Sequence, residues 1–297
     1  MGKSRLAAEG ALIAVVALWG WTFVTVKDAT ESVPVFTFLA LRFTLAAIAF
    51  APLLLLARRK RGSDDRKSAG ARGTITVGVA AGGILALGYG LQTFGLTETT
   101  SGRSGVITGV SVALVPIGLG TFFRQKVGRA EWTGVVLALL GFLFLGIGDA
   151  PLGSGDFLVL GCAVAFAAHV ILLGRAAKGK RVLPLAAIQV STAAALFIVA
   201  ALFFEGTAGL PRLDDGAIWR AVAWTGIGAT TLGFAIQTRA QQVTSPTRIA
   251  LILALEPVFA LAAGHLGHGE SLGLGALVGS GLVLAGMLCA ELSPRSS

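Results

Sequence analysis

The sequence has 297 residues, of which 55% are hydrophobic and only 13% are charged, and its formal net charge is +9. A soluble globular chain carries roughly twice that charged fraction, so the composition argues against a soluble fold. The positive charge does not indicate a nucleic-acid partner, because the basic residues are concentrated in alternate connections between apolar segments.

Ten apolar segments of about 17 residues or more follow one another with short connections, and each is long enough to cross a hydrocarbon core. A chain of this length cannot supply enough polar surface to cover ten apolar helices in water. We therefore predict an all-α polytopic membrane protein with ten transmembrane helices. The predicted spans are 8–26, 35–56, 75–94, 105–123, 132–148, 157–173, 185–204, 218–237, 249–266 and 272–289.

The charges of the connections differ between the two sides of the predicted bundle. Lysine and arginine are concentrated at the N-terminus and after the second, fourth, sixth and eighth spans, whereas the opposite connections carry most of the aspartate and glutamate. This is the positive-inside pattern, which predicts a protein of the inner or plasma membrane of the cell with both termini in the cytoplasm. The basic face is expected to meet the anionic lipid of the bilayer.

The first two spans contain unusual side chains away from their ends. Trp19 is too deep for an interfacial residue if Val26 marks the outer end, so it either lines a cavity or packs against a neighbouring helix. Arg42 lies inside the second span, where a charged side chain should face the interior of the bundle. Two interpretations of Arg42 stay open: it binds substrate, or it is the structural partner of a buried carboxylate or of freed backbone carbonyls.

The third and fourth spans each carry a polar helix face. Tyr89 and Gln92 are three residues apart, as are Thr108 and Ser111, so each pair shares one face of its helix. Pro116 follows in the fourth span. It has no N–H for the carbonyl four residues earlier, and a helix kink is predicted there.

The sixth and eighth spans add a histidine and a glutamine. His169 is the lone histidine of its span, which indicates either an interhelical hydrogen bond or a proton carrier. Gln237 shares a helix face with Thr230 and Phe234. Both His169 and Gln237 are therefore candidates for a polar site inside the bundle.

Glu256 is the one carboxylate that falls midway along a predicted span. Pro257 follows it and leaves the carbonyl of Leu253 without its helical donor, so a kink and a free acceptor are predicted beside the carboxylate. Glu256 is expected either to carry a proton or to form a structural pair with Arg42. Both interpretations remain open at this point.

The second half of the sequence repeats the first at positions 145 apart, and earlier spans match at a slightly larger offset. Such a register indicates a duplicated chain. Each copy holds five spans, an odd number, so the second copy enters the membrane in the opposite sense and forms an inverted repeat. We predict one repeat over residues 1–150 and another over 151–297. The matched pairs include Gln92 with Gln237, Thr99 with Thr244, Arg103 with Arg248, Gly134 with Gly279, Trp19 with Phe166, and Arg42 with Gln189.

Several short motifs are similar, in order, to those of EamA-type members of the drug/metabolite transporter superfamily. The resemblance covers nearly the whole chain and implies an inner-membrane carrier of ten helices in two inverted halves. Family members move amino acids, other small metabolites, nucleotide sugars or toxic compounds, often outward. One departure is Arg124-Gln125, where the family often has Gly-Glu. The motifs that carry the resemblance are Leu18-Trp19-Gly20, Arg42-Phe43, Thr100-Ser101-Gly102-Arg103, Ser245-Pro246-Thr247-Arg248, Glu256-Pro257 and Gly269-Glu270.

The favoured function is a gradient-driven transporter, an exporter of amino acids or related compounds that works by alternating access. The sequence has no GxxxxGK[ST] loop, so ATP is not expected to drive it. We predict no enzymatic activity, cofactor, metal or nucleic-acid partner, and a monomer or homodimer in the bilayer. Glu256 is predicted to couple transport to protons. The predicted substrate-binding residues are Trp19, Arg42, Tyr89, Gln92, Ser111, His169, Gln237 and Glu256, and the predicted kinks are at Pro116 and Pro257.

Two other functions use some of the same features. Gly102-Arg103-Ser104-Gly105 matches the GxSG motif of rhomboid-like proteases, in which Ser104 would be the nucleophile. A passive channel would also have polar residues at mid-membrane, although the sequence lacks the repeated charged rings of many channels. Inverted halves favour the transporter over both.

Overall fold

The computed structural model describes residues 2–59, 71–144, 151–207, 215–268 and 273–292. These residues are helical apart from short connections. The elements, with two π-helical segments named π1 and π2, are α1 Gly2–Ser32, α2 Val35–Arg59, α3 Ala71–Glu98, α4 Ser101–Gly109, α5 Ser111–Phe123, α6 Arg129–Phe144, α7 Ser154–Ala176, α8 Val182–Ala200, π1 Ala201–Glu205, α9 Gly216–Ala223, π2 Trp224–Leu232, α10 Gly233–Val243, α11 Pro246–Leu253, α12 Glu256–His268 and α13 Leu274–Leu292.

Seven helical stretches of the described chain are long and apolar enough to cross a membrane, and a shorter apolar helix covers Leu274–Cys289. The outside of the bundle is also apolar. Phe122, Phe203 and Leu274 are each more than three-quarters exposed, as expected for side chains in contact with lipid. The predicted eighth span is divided among α9, π2 and α10, and the predicted fifth span extends beyond the described residues, so the total of ten spans stays a prediction.

Helix boundaries in the two halves fall in the register that the sequence repeat predicts. α3 and α10 end at Glu98 and Val243, and α5 and α12 end at Phe123 and His268, both pairs 145 residues apart. The same spacing separates the starts of α4 and α11, of α5 and α12, and of α6 and α13. The two halves therefore contain the same succession of helices from α3 and α10 onward.

Helices of the first half pack mainly against helices of the second. α3 lies along α7 and α8, α2 along α8 and π2, α1 along α12 and α10, and α6 along α13. Glycines allow the closest of these contacts. A Cβ on Gly141 would lie 2.7 Å from the carbonyl oxygen of Gly279, and one on Gly286 would lie 2.5 Å from that of Gly134. The α6–α13 contact is therefore backbone to backbone, and reciprocal between repeats.

Three features of the sequence interpretation lie outside the described residues. They are the basic connection over 60–70, the residues 149–150 at the predicted repeat boundary, and the Gly269-Glu270 motif. The division into residues 1–150 and 151–297 stays a prediction.

Candidate functional site

Two broken helices contribute to the centre of the bundle. α4 ends at Gly109 and α5 begins at Ser111, while α11 ends at Leu253 and α12 begins at Glu256. Each first piece has a hydroxyl at its N-cap, since the side chains of Thr100 and Ser245 accept hydrogen bonds from backbone N–H groups three residues later. The breaks place new helix starts inside the bundle rather than at its ends.

The two prolines predicted to cause kinks differ in their positions relative to these breaks. Pro257 is the second residue of α12, where a missing N–H costs no helical hydrogen bond. Pro116 lies inside α5, and the break in that predicted span comes earlier, at Val110. Val110 donates from its backbone N–H to the carbonyl of Ile107, 3.1 Å away, which tightens the end of α4. A bend at Pro116 stays a prediction.

Seven of the eight predicted substrate-binding residues line one cavity among the helices. The cavity leaves about 50 Å³ for the centres of water-sized molecules, enough for only a few waters. The cavity is thus small in this conformation. Its lining includes Trp19, Tyr89, Gln92, Ser111, His169, Gln237 and Glu256 together with Thr22, Thr108, Phe166 and Phe234.

Four aromatic side chains form one wall of the cavity. Tyr89 packs against Phe166 and Phe234 with ring centroids 5.3 and 6.2 Å apart, and Trp19 packs against Phe234 at 5.6 Å. The indole nitrogen of Trp19 donates a hydrogen bond to the carbonyl of Ala229, 2.7 Å away, which fixes the ring. Trp19 is therefore a cavity residue, one of the two positions that the sequence left open.

Matched glycines allow these rings to lie close to the helix backbones. A Cβ on Gly88 would come within 2.5 Å of the Phe166 ring, and one on Gly233 within 3.0 Å of the Trp19 indole nitrogen. Gly88 and Gly233 are 145 residues apart, and Trp19 and Phe166 are also a matched pair. Both repeats thus pack an aromatic ring against a glycine at matched positions.

Arg42 does not line this cavity. Its side chain is 1% exposed, and its Nε donates to the hydroxyl of Thr230 at 3.0 Å. The guanidinium carbon lies 4.9 Å from the centroid of the Tyr89 ring, which does line the cavity. Arg42 Nη2 has no hydrogen-bond partner in the described part of the chain. Arg42 thus lies behind Tyr89, and its Nε is held by π2.

The π-helical segment π2 positions the partner of Arg42. The hydroxyls of Thr230 and Thr231 donate to carbonyls five residues earlier, at 2.8 and 3.1 Å. Hydrogen bonds of this spacing accompany the wider turn of a π-helix, an element often found at functional sites. A Cβ on Gly226 would come within 2.8 Å of the carbonyl oxygen of Arg42, so π2 approaches α2 closely at this point.

A hydrogen-bonded chain of buried side chains includes the predicted histidine. His169 Nε2 lies 2.8 Å from Gln189 Oε1, and Gln189 Nε2 donates to the hydroxyl of Thr238 at 3.0 Å. The amide oxygen of Gln189 accepts a hydrogen bond from His169 in this arrangement, which assigns the ring proton to Nε2. His169 is therefore held by a neutral partner, as expected for an interhelical hydrogen bond.

Glu256 is the one charged side chain in the described lining of the cavity. It is partly exposed to the cavity, and no hydrogen bond or ion pair joins it to another described residue. In particular, Arg42 and Glu256 do not form an ion pair. Nearby, Gln92 donates to Thr108 at 3.1 Å, and Gln237 Oε1 has no hydrogen-bond partner among the described residues. The cavity therefore offers unpaired acceptors, one of them a carboxylate.

Four polar or aromatic residues of the described cavity lining were not among the predicted binding residues: Thr22, Thr108, Phe166 and Phe234. The sequence carried a signal for most of them. Phe166 is the repeat partner of Trp19, Thr108 shares a helix face with Ser111, and Phe234 shares one with Gln237. Applying the repeat to every predicted site residue would have found Phe166.

The chain is similar to known membrane transporters. The model of the EamA-like transporter family matches residues 6–147 and again 153–291. An uncharacterized transporter of Archaeoglobus fulgidus is 32% identical over 259 residues, 87% of this chain and 77% of the relative. A protein of Salmonella typhimurium named "Probable amino-acid metabolite efflux pump" is 26% identical over 287 residues, 92% of this chain and 91% of that protein. One crystal structure, 19% identical, has the same fold over 97% of each chain, with a TM-score of 0.77.

Proposed function

The chain belongs to the EamA-like transporter family, and we propose that it moves a small amino-bearing metabolite across the cell membrane, driven by a gradient. The cavity carries this proposal. It is enclosed by one chain, it contains a single carboxylate among the described lining residues, and helix breaks at matched positions of both halves contribute to it. Broken helices that meet at mid-membrane are a common way to build a substrate site in secondary transporters.

The packing of the helices supports inverted halves that rock against each other. If the first five spans exchange with the last five, the α3–α7 contact becomes that of α10 with α1, and the α5–α7 contact becomes that of α12 with α1. The α2–α8 and α6–α13 contacts map onto themselves. Two successive matches to one family model also support a duplication. Ten spans, with both termini in the cytoplasm, complete this arrangement.

The chemistry of the cavity favours a substrate with an ammonium group. The Glu256 carboxylate makes no hydrogen bond or ion pair to a described residue, and the aromatic wall beside it offers ring faces that attract cations. Amino acids and related amines carry such a group. The name of the Salmonella relative refers to amino-acid metabolites and to efflux, which supports the same substrate class and an outward direction.

Two steps follow from the geometry. The cavity is too small for an amino acid in this conformation, so substrate entry requires the aromatic wall to move. When Glu256 releases the substrate it takes up a proton, so that no bare carboxylate remains inside the membrane. Exchange of proton for substrate at one side chain couples the two fluxes.

The protease alternative receives no support from the position of Ser104. Its side chain is fully buried, and its hydroxyl makes no hydrogen bond to any described residue. A serine nucleophile needs a base within hydrogen-bond reach and access to a substrate. The distinction between transporter and channel is left to experiment.

The test is counterflow in proteoliposomes that contain the purified chain. Vesicles are loaded with an unlabelled amino acid or small organic amine, and uptake of a trace of the labelled compound is followed, with protein-free liposomes as control. A carrier accumulates the label transiently above equilibrium. Uptake that rises to equilibrium without an overshoot would indicate a channel, and no uptake across a panel of amino acids and amines would contradict the proposed substrate class.

A further inference from the structure

A buried carboxylate joins the start of α7 to the connection between α3 and α4 at one end of the bundle. Asp156, 5% exposed, accepts a hydrogen bond from the hydroxyl of Thr99 at 3.0 Å and pairs with Arg103 at 2.9 Å. Thr99 lies between α3 and α4, and its carbonyl accepts from Lys27 of α1 at 2.7 Å. Asp156 also accepts from the backbone N–H of Gly153 at the start of α7. The carboxylate thus holds α7 against the connection between α3 and α4.

A second buried carboxylate makes the corresponding contact elsewhere. Glu9 of α1 is 4% exposed and accepts a hydrogen bond from the hydroxyl of Thr244 at 2.8 Å. Thr244 lies between α10 and α11, and Arg5 pairs with Glu9 at 3.3 Å. Glu9 thus holds α1 against the connection between α10 and α11.

The two clusters are related by the sequence repeat. Thr99 and Thr244 are 145 residues apart, and Glu9 and Asp156 are 147 apart, the same offset as Trp19 and Phe166. In both clusters a threonine between two helices donates its hydroxyl to a carboxylate near the start of another helix. The correspondence covers residue type, contact and place in the fold, although the carboxylates differ by one methylene.

The two clusters lie at opposite ends of the bundle. Glu9 and Lys27 both belong to α1 and are 18 residues apart, so about 27 Å of helix separates the contacts that they make. This length is close to the thickness of the hydrocarbon core. Both clusters are formed in the same conformation, in which the cavity is small.

We propose that Asp156 with Thr99, and Glu9 with Thr244, are matched carboxylate latches, one for each end of the cavity. Each latch opens when its end of the bundle admits or releases substrate, and the other latch stays closed. This inference rests on the proposed transport function and names the side chains that hold each end. Breaking one latch should therefore shift the protein toward the conformation that is open at that end.

The latches can be tested without a substrate, by the sided accessibility of the cavity. Ser111→Cys is introduced in a Cys162→Ala/Cys289→Ala background, and labelling by a membrane-impermeant thiol reagent is measured in intact host cells and in inside-out vesicles. Asp156→Asn and Thr99→Val break one latch, and Glu9→Gln and Thr244→Val break the other. Thr99→Ser and Thr244→Ser are the controls, because serine keeps the donor hydroxyl.

The expected result is selective for one face. Asp156→Asn and Thr99→Val should raise labelling by about tenfold or more from the Asp156 face only, because loss of a buried polar contact removes a substantial part of what keeps that end closed. Glu9→Gln and Thr244→Val should do the same from the opposite face. Unchanged labelling, or an equal rise from both faces, would overturn the proposal. If Asp156→Asn or Glu9→Gln fails to fold, labelling of Thr99→Val or Thr244→Val, respectively, tests the same latch.

This outcome is separate from that of the counterflow assay. Face-selective labelling in a protein that shows no counterflow would retain the latches and contradict the proposed transport of amino acids and amines. Counterflow in a protein without face-selective labelling would support the transport function and contradict the latches.

Discussion

Ser111 and Glu256 lie 145 residues apart in the sequence, and each is the first residue of a helix that begins after a break. Both side chains line the same cavity. The two halves thus present equivalent positions to one site but place a hydroxyl on one side and a carboxylate on the other. The helix starts are matched in the two halves, but only the second half places a carboxylate there. This arrangement fits the proposed carrier, in which one group couples transport to protons.

Replacing the carboxylate should separate proton coupling from exchange. In Glu256→Gln vesicles, an imposed pH gradient should no longer drive accumulation of substrate, because the amide cannot take up or release a proton. Ser111→Ala, at the equivalent position, should keep pH-driven accumulation within about tenfold of the wild type, as expected for the loss of one hydrogen bond. Gradient-driven uptake that survives in Glu256→Gln would show that another group carries the proton.

His169 should affect affinity without setting the pH dependence. It lines the cavity, and its ring nitrogen is held by Gln189 at 2.8 Å. We expect His169→Gln to weaken substrate binding and to leave the shape of the curve of transport rate against pH unchanged, since the amide keeps a donor for the Gln189 oxygen. The measurement is the initial uptake rate over a range of pH. A different dependence of the transport rate on pH in His169→Gln would indicate that His169, rather than Glu256, carries the proton.

Removing the Tyr89 ring should expose Arg42 to the cavity. The guanidinium lies behind this ring, and its Nη2 has no hydrogen-bond partner among the described residues. Tyr89→Ala should therefore increase competition by carboxylate-bearing compounds in a binding assay, whereas Tyr89→Phe, which keeps the ring, should not. The gain should disappear in Tyr89→Ala/Arg42→Gln. If carboxylate-bearing compounds compete equally well in Tyr89→Ala and in the wild type, Arg42 has only a structural role.

The α6–α13 contact should be sensitive to a single methyl group. A Cβ on Gly286 would meet the carbonyl oxygen of Gly134 at 2.5 Å, whereas a Cβ on Gly281, in the same helix, meets no atom within 4 Å. Gly286→Ala should cost about 1–3 kcal/mol of stability through overpacking. Gly281→Ala should be neutral or slightly stabilising. Thermal unfolding in detergent compares the two, and equal midpoints would contradict the close contact.

The sequence predicts those features of the fold that depend on residues near one another in the chain or on the internal repeat. Apolar segments of membrane-spanning length and the 145-residue repeat can be read directly, so the order of the helices is predictable. Polar side chains inside a membrane must avoid lipid, which is why the sequence alone assigns Gln92, Ser111, His169 and Gln237 to one interior site, and all four line the cavity.

The remaining features depend on tertiary packing. The position of Arg42 behind Tyr89 follows from where α2 meets π2, and no spacing in the sequence encodes that contact. The helix break at Val110 likewise lies six residues before Pro116, the nearby proline. The contact between Glu9 and Thr244 joins residues 235 positions apart and is invisible to a local pattern.

The central claim, that two inverted halves share one cavity, is tested most directly by the sides of the membrane on which equivalent residues lie. Glu98 and Val243 are the last residues of α3 and α10 and are 145 positions apart. Cysteines are placed at each position in turn, in the Cys162→Ala/Cys289→Ala background, and labelled with an impermeant reagent in intact cells and in inside-out vesicles. Inverted halves predict that the two cysteines react from opposite faces. Reaction of both from the same face would contradict the inversion and the alternating-access mechanism built on it.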